Sequence, residues 1–168
     1  LGITGGPGSG KSTTAKQLAK IMNEKYNIKT LVIPMDGYHY TKKDLINKDS
    51  DSLYFLKRRG SPMTFDAEGF YDQLFKAKKL GKKMFFPSFC RILSDPVDNK
   101  IEFNESYKLI IIEGNYLLLG AIEKIFLNDE DYIECKRWKP LLELFNEVWF
   151  IQLKNGINDQ KNRLIKRH

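Results

Sequence analysis

The chain has 168 residues, 42% of them apolar and 29% charged, and its 28 Lys+Arg against 21 Asp+Glu give a formal net charge of +7. That length and apolar fraction suit one folded domain over residues 1–168, and no apolar run approaches the ~20 residues of a bilayer span, which excludes a transmembrane helix. The lysines are spread along the chain, and the Lys78-Lys79 and Lys82-Lys83 knot has no interleaved aromatics, so no nucleic-acid platform is expected.

In chain order, Leu1 to Thr4 reads as a short strand end and Ser12 to Tyr26 as an amphipathic helix with Ala15, Leu18, Ala19 and Met22 on one face. Thr30 to Met35 reads as a buried strand, followed by a polar, irregular stretch from Asp36 to Ser61 with a helical tendency at Ser52 to Lys57. Glu68 to Leu80 is predicted to be a helix with Phe70, Leu74 and Phe75 inward. Lys83 to Phe89 and Lys100 to Phe103 are predicted to be short strands, paired antiparallel. Leu109 to Ile112 is continuously apolar, the mark of a strand buried on both faces. A helix over Trp138 to Phe145, a buried strand over Glu147 to Leu153 and a helix over Asn158 to Arg167 complete the pattern, with Trp138 and Trp149 as core residues. Strands alternating with helices predict an α/β fold: a mostly parallel sheet with helices on both faces. Leu1 opens inside a strand and the last helix carries no stop signal, so both termini read as truncated. Cys90 and Cys135 stand apart without metal-ligand company and fit a reducing compartment, the cytoplasm.

The glycines cluster at the start, in "GITGGPGSGKST". Gly5, Gly6, Pro7, Gly8, Ser9, Gly10, Lys11, Ser12 and Thr13 contain the full phosphate-loop pattern G-x-x-x-x-G-K-[ST], between an apolar strand and a helix as the mechanism demands. Glycines let the backbone turn its N–H groups around phosphate oxygens, and the helix that follows aims its positive end at the same anion. Lys11 then reaches the β and γ phosphates and the Ser12 hydroxyl ligates Mg²⁺, so the loop is expected to hold a nucleoside triphosphate, ATP.

Two further carboxylates follow buried strands directly: Asp36 after "LVIPM" and Glu113 after "LIII". In a parallel sheet those strand ends point to the same edge as the glycine loop. Glu113 is expected to hold the metal, directly or through its waters, and Asp36 to accept a proton from a substrate hydroxyl. A guanine-reading switch is excluded: "NKDS" at Asn47 to Ser50 lacks its final aspartate, and "DAEG" at Asp66 to Gly69 follows no buried strand.

The blocks "GITGGPGSGKST", "VIPMDGYHY", "RRGSPMTFDAEGF", "FPSFCRILSDPV" and "IIIEGNYLLL" resemble, in order and over nearly the whole chain, the uridine kinase, pantothenate kinase and phosphoribulokinase group of P-loop kinases. The similarity is greatest to the uridine-kinase-like branch. The resemblance implies a three-layer sandwich around a five-stranded parallel core, a small antiparallel insertion on the substrate side and a C-terminal lid, here incomplete. It implies Asp36 as base, Glu113 on the metal, and Arg163 and Arg167 swinging onto the phosphates. Those arginines lie four apart on one helical face, which also suits a solvated basic helix end. It implies an ATP-dependent phosphotransferase acting on a nucleoside such as uridine, with pantothenate, glycerate or a sugar as alternatives. A nucleotide-binding ATPase module without an acceptor is the reading from another class.

Tyr38 and His39 follow the expected base; they either line the acceptor pocket or are structural. Arg58, beside Arg59, either clamps an anion or lies on the surface. After "PSF" the branch carries an acid and a histidine that contact substrate, whereas this chain has Cys90-Arg91. Arg91 either binds an acidic substrate group or points to solvent.

Overall fold

The computed structural model describes residues 1–47 and 52–166, apart from the side chains of Ser52 and Phe126. The chain starts with β1 (Gly2–Thr4), α1 (Lys11–Tyr26) and β2 (Thr30–Pro34). Two short helices, α2 (Lys42–Asn47) and α3 (Ser52–Lys57), and the longer α4 (Ala67–Leu80) follow. A hairpin of β3 (Met84–Cys90) and β4 (Asp95–Phe103) precedes β5 (Leu109–Gly114), α5 (Asp129–Trp138), β6 (Val148–Phe150) and α6 (Ile157–Ile165).

β2, β5, β1 and β6 form, in that order, a parallel sheet of four strands, and β3 pairs antiparallel with β4 outside it. The α/β class and the antiparallel insertion agree with expectation, while the described sheet has four strands where five were expected. Period-two alternation explains the continuous apolar run of β5: successive side chains enter opposite layers. Ile111, with Ile3 and Val32, packs on Ala15, Leu18 and Ala19 of α1. Ile112, with Ile33, packs on the other face with Phe70 and Leu74 of α4, Trp138 and Leu141.

Local chemistry sets the element ends. Asp66 caps α4 by accepting from the Gly69 N–H at 2.9 Å, so "DAEG" is a helix start. α1 stops at Asn27, which takes the left-handed conformation (φ 54°).

Four expectations fail. Trp138 to Phe145 is not one helix: α5 ends at Trp138 and a tight 3-10 segment, Lys139–Leu144, with Pro140 near its start, takes over. β6 covers only part of Glu147 to Leu153, and as an edge strand paired on one side it leaves Trp149 38% and Phe150 63% exposed. Trp149 is therefore not a core residue, whereas Trp138 is fully buried. Phe75 lies on the outer side of α4, 39% exposed, stacked on Tyr71 at 5.7 Å. Among the described residues no helix is long and apolar enough to cross a membrane.

Candidate active site

Strand register brings the expected chemistry to one edge. Thr4, the last residue of β1, pairs with Gly114, and Ile3 with Glu113. Pro34, the last residue of β2, pairs with Glu113 as well, so Asp36 stands just beyond the point where that carboxylate leaves the sheet. The Thr4 hydroxyl ties the two exits together by donating to the Asn115 carbonyl at 3.3 Å.

The loop between β1 and α1 uses left-handed backbone at Gly5, Gly8 and Gly10 (φ 149°, 79° and 103°). At Gly10 this conformation turns the chain into the first turn of α1, and at Gly5 a Cβ would collide with the Ile151 carbonyl. Lys11 is 7% exposed and its Nζ donates to the Gly6 carbonyl at 3.0 Å, which folds the ammonium back over the loop. The Ser9 hydroxyl is buried and has no hydrogen-bond partner among the described residues. An inward-turned loop with an ammonium and an unmatched hydroxyl suits a polyphosphate.

The Ser12 hydroxyl donates to Glu113 Oε1 at 3.1 Å. Glu113 is 8% exposed, and burial first, then the nearby Asp36 charge, raises its pKa above the ordinary carboxyl value. The Ser12 hydrogen bond and the charges of Lys11 and Lys16 pull the other way. Among the described residues there is no cluster of three or more His, Cys, Asp or Glu that could hold a metal unaided. One hydroxyl and one carboxylate fit Mg²⁺, which takes few protein ligands and completes its octahedron with phosphate oxygens and water.

A cavity of about 320 Å³ opens over these groups. Pro7, Gly8, Gly10, Lys11, Ser12 and Thr13 form its floor, with Asp36, Glu113, Arg91 and Arg163 around it. Asp36 is exposed and sits in a 3-10 turn, Met35–Tyr38, directly after β2. Arg163 reaches the cavity from α6, while Arg167 lies outside the described residues. Gly114 and Asn115 also line the cavity and were missed, although leaving β5 at this edge puts "GN" beside Glu113.

Tyr38, His39 and Arg58 do not line this cavity. Tyr38 is buried, its hydroxyl 2.5 Å from Gln73 Oε1 and its ring 4.4 Å from that of Phe70. His39 packs its ring 3.9 Å from Phe65, and its Nδ1 lies 2.9 Å from the Asp36 carbonyl. A carbonyl only accepts, so Nδ1 carries the proton, and burial lowers the His39 pKa and favours that neutral ring. His39 thus braces the turn that presents Asp36, from the wall of a second cavity of about 650 Å³. Arg58 lies over the Tyr54 ring at 4.8 Å, and Arg59 pairs with Asp95 at 2.5 Å.

Comparison with known proteins agrees with this architecture. The family described as chromatin associated protein KTI12 matches residues 1–59, which hold the phosphate loop and Asp36. A candidate uridine kinase of Schizosaccharomyces pombe is 40% identical over 122 residues, 71% of this chain and 52% of that protein. The ATP-dependent kinase-like protein notR' of Aspergillus versicolor is 30% identical over 138 residues, 80% of this chain and 70% of its own. A pantothenate kinase of Lactococcus lactis is 27% identical across 96% of this chain and 53% of its own, so the chain spans about half the length of that relative and of the fission-yeast one. Among solved structures, a candidate fructose transport system kinase from Silicibacter sp. TM1040 superposes with a TM-score of 0.78 at 28% identity, covering 99% of this chain and 69% of that one. A candidate uridine kinase from Bacillus stearothermophilus shares the fold at 23% identity and a TM-score of 0.61, over 99% of this chain and 76% of its own. The glycine loop, the acids at the strand ends and these similarities place the chain in the uridine kinase and pantothenate kinase group of the P-loop kinase family.

Proposed function

We propose that this chain transfers the γ-phosphate of ATP to a hydroxyl of a small metabolite. The observation that carries the reading is Asp36 in the same cavity as Lys11 and the Ser12–Glu113 pair. A nucleotide-binding module needs the loop and one metal-facing acid. A second, exposed carboxylate at the same edge is what an alcohol acceptor requires.

In this reading the loop from Gly5 to Gly10 and the first turn of α1, with Thr13, cradle the triphosphate, and Lys11 neutralises its β and γ groups. Ser12 and Glu113 would hold Mg²⁺, which when bound offsets phosphate charge. Asp36 takes the hydroxyl proton on a carboxylate oxygen as the acceptor oxygen bonds to the γ-phosphorus and the bond to the β-phosphate oxygen breaks. Arg163, which lines the cavity, would meet the transferring charge, and the same role is proposed for Arg167. The acceptor is a small alcohol of the kinds named among the relatives, a nucleoside such as uridine or a hydroxy acid such as pantothenate.

ATP consumption measured against a panel of small alcohols tests the proposal. One acceptor should raise turnover well above the acceptor-free rate, and Lys11→Ala should abolish that rise while the protein stays folded. Turnover equal with and without every alcohol would leave an ATPase instead.

A further inference from the structure

The turn at the tip of the β3–β4 hairpin, residues 91–94, is fastened by two cations, Arg59 and Lys42. Arg59 binds the Asp95 carboxylate at 2.5 Å, the Ser94 carbonyl, and the Tyr40 carbonyl at 3.1 Å. The Lys42 ammonium donates to the Leu93 carbonyl at 2.9 Å, and its backbone N–H to Asp95 Oδ1 at 3.0 Å. The Ser94 hydroxyl closes the turn on the Arg91 carbonyl at 3.2 Å. The turn is therefore held in place without any contribution from the Arg91 guanidinium.

That guanidinium makes no hydrogen bond or ion pair with any described residue, yet Arg91 lines the cavity that contains Asp36 and Glu113. The backbone that carries Arg91 lies against the turn that carries Asp36. Gly37 packs so closely on β3 that a Cβ there would lie 2.5 Å from the Pro87 carbonyl oxygen, so the Asp36 turn sits directly against the hairpin. The two anchors face one space, one suited to a hydroxyl proton and the other to an oxyanion fork.

We propose that the acceptor is an anionic alcohol: Arg91 binds its carboxylate or phosphate while its hydroxyl rests on Asp36. This rests on the kinase reading above and narrows its substrate class, since a neutral nucleoside has no anion to offer Arg91. Lys11 and Arg163 lie at the loop and α6 sides of the cavity, which leaves the hairpin side to the acceptor.

The test is steady-state phosphorylation by the protein of matched neutral and anionic alcohols: glycerol against glycerate, pantothenol against pantothenate, fructose against fructose 6-phosphate, with uridine as a further neutral acceptor. The carboxylate and phosphate arms distinguish the two sources of the oxyanion. An anionic member should be preferred in kcat/KM. Arg91→Ala should raise the KM for that acceptor roughly 10- to 100-fold, the loss expected of a charge-assisted contact, with the KM for ATP unmoved and a partial return in Arg91→Lys. Preference for a neutral acceptor overturns the inference and leaves the kinase reading intact, as does an Arg91→Ala variant whose ATP KM rises instead. Absence of transfer to every alcohol overturns both. Because Arg91 is exposed and its side chain holds nothing in place, Arg91→Ala should melt with the parent protein, which separates a binding loss from unfolding.

Discussion

Glu113 bears two opposed demands. In the proposed function its carboxylate must be charged to face Mg²⁺, yet burial and the neighbouring Asp36 charge raise its pKa from the ordinary 4.5. The folded state therefore holds this proton more tightly than the unfolded chain does. The stability this gives is complete below pH 4.5 and is lost as pH rises through the raised folded value. Glu113→Gln keeps an acceptor for the Ser12 hydroxyl and removes the buried charge. It should raise the melting temperature at neutral pH by about 2–4 °C, the effect of roughly 1 kcal/mol in a chain of this size, while the Mg²⁺ concentration for half-maximal turnover rises sharply. A melting temperature that falls, or an unchanged Mg²⁺ requirement, would contradict the role. Single residues were also where sequence reasoning separated best: Lys11, Ser12, Asp36 and Glu113 converge because each follows a strand whose end is readable. For Tyr38 and His39 the sequence left pocket and structural roles open, because adjacency to Asp36 in the chain says nothing of direction. The 3-10 turn sends Asp36 into the cavity and the two rings into the layer under the hairpin.

At the scale of elements, the turn after β2 and the hairpin act together through Gly37. Gly37→Ala forces its methyl into the Pro87 carbonyl, so the two must part; the expected cost is about 1–3 kcal/mol, with kcat falling because Asp36 is displaced. Full activity at parental stability in that variant would show that the contact does not position the base. Which elements could be read from sequence follows from periodicity. α1, α4 and β5 carry strong patterns and stand where expected, with Asp66 a visible cap. The Trp138 to Phe145 helix fails because apolar residues at helical spacing also suit a tight 3-10 segment, and Pro140, which has no N–H to donate to Lys136, keeps α5 from running on through it. Trp149 and Phe150 fail for a different reason: composition marks them as strand residues, but only sheet order reveals that β6 is an edge. The resemblance brought the last helix toward the phosphates through Arg163, but its particular contacts on the loop, Gln160 over Gly6 and Leu164 over Gly8, had no signal in the sequence.

At the scale of the molecule, a four-stranded parallel sheet sets the glycine loop, the buried Glu113 and the exposed Asp36 at one edge, with the hairpin and α6 beside the cavity. The loop, Lys11 and the Ser12–Glu113 pair suit a nucleotide alone. In the proposed function Asp36 is the part that distinguishes a kinase from an ATPase, so its removal is the most direct measurement. Asp36→Asn keeps shape and most hydrogen bonding but cannot take a proton. Phosphate transfer to the acceptor should fall ~10²–10⁴-fold, while nucleotide affinity, measured by calorimetry in the same preparation, stays at the parental value because Lys11, Ser12 and the loop are untouched. Transfer at the parental rate in Asp36→Asn, with ATP bound as before, would contradict the account.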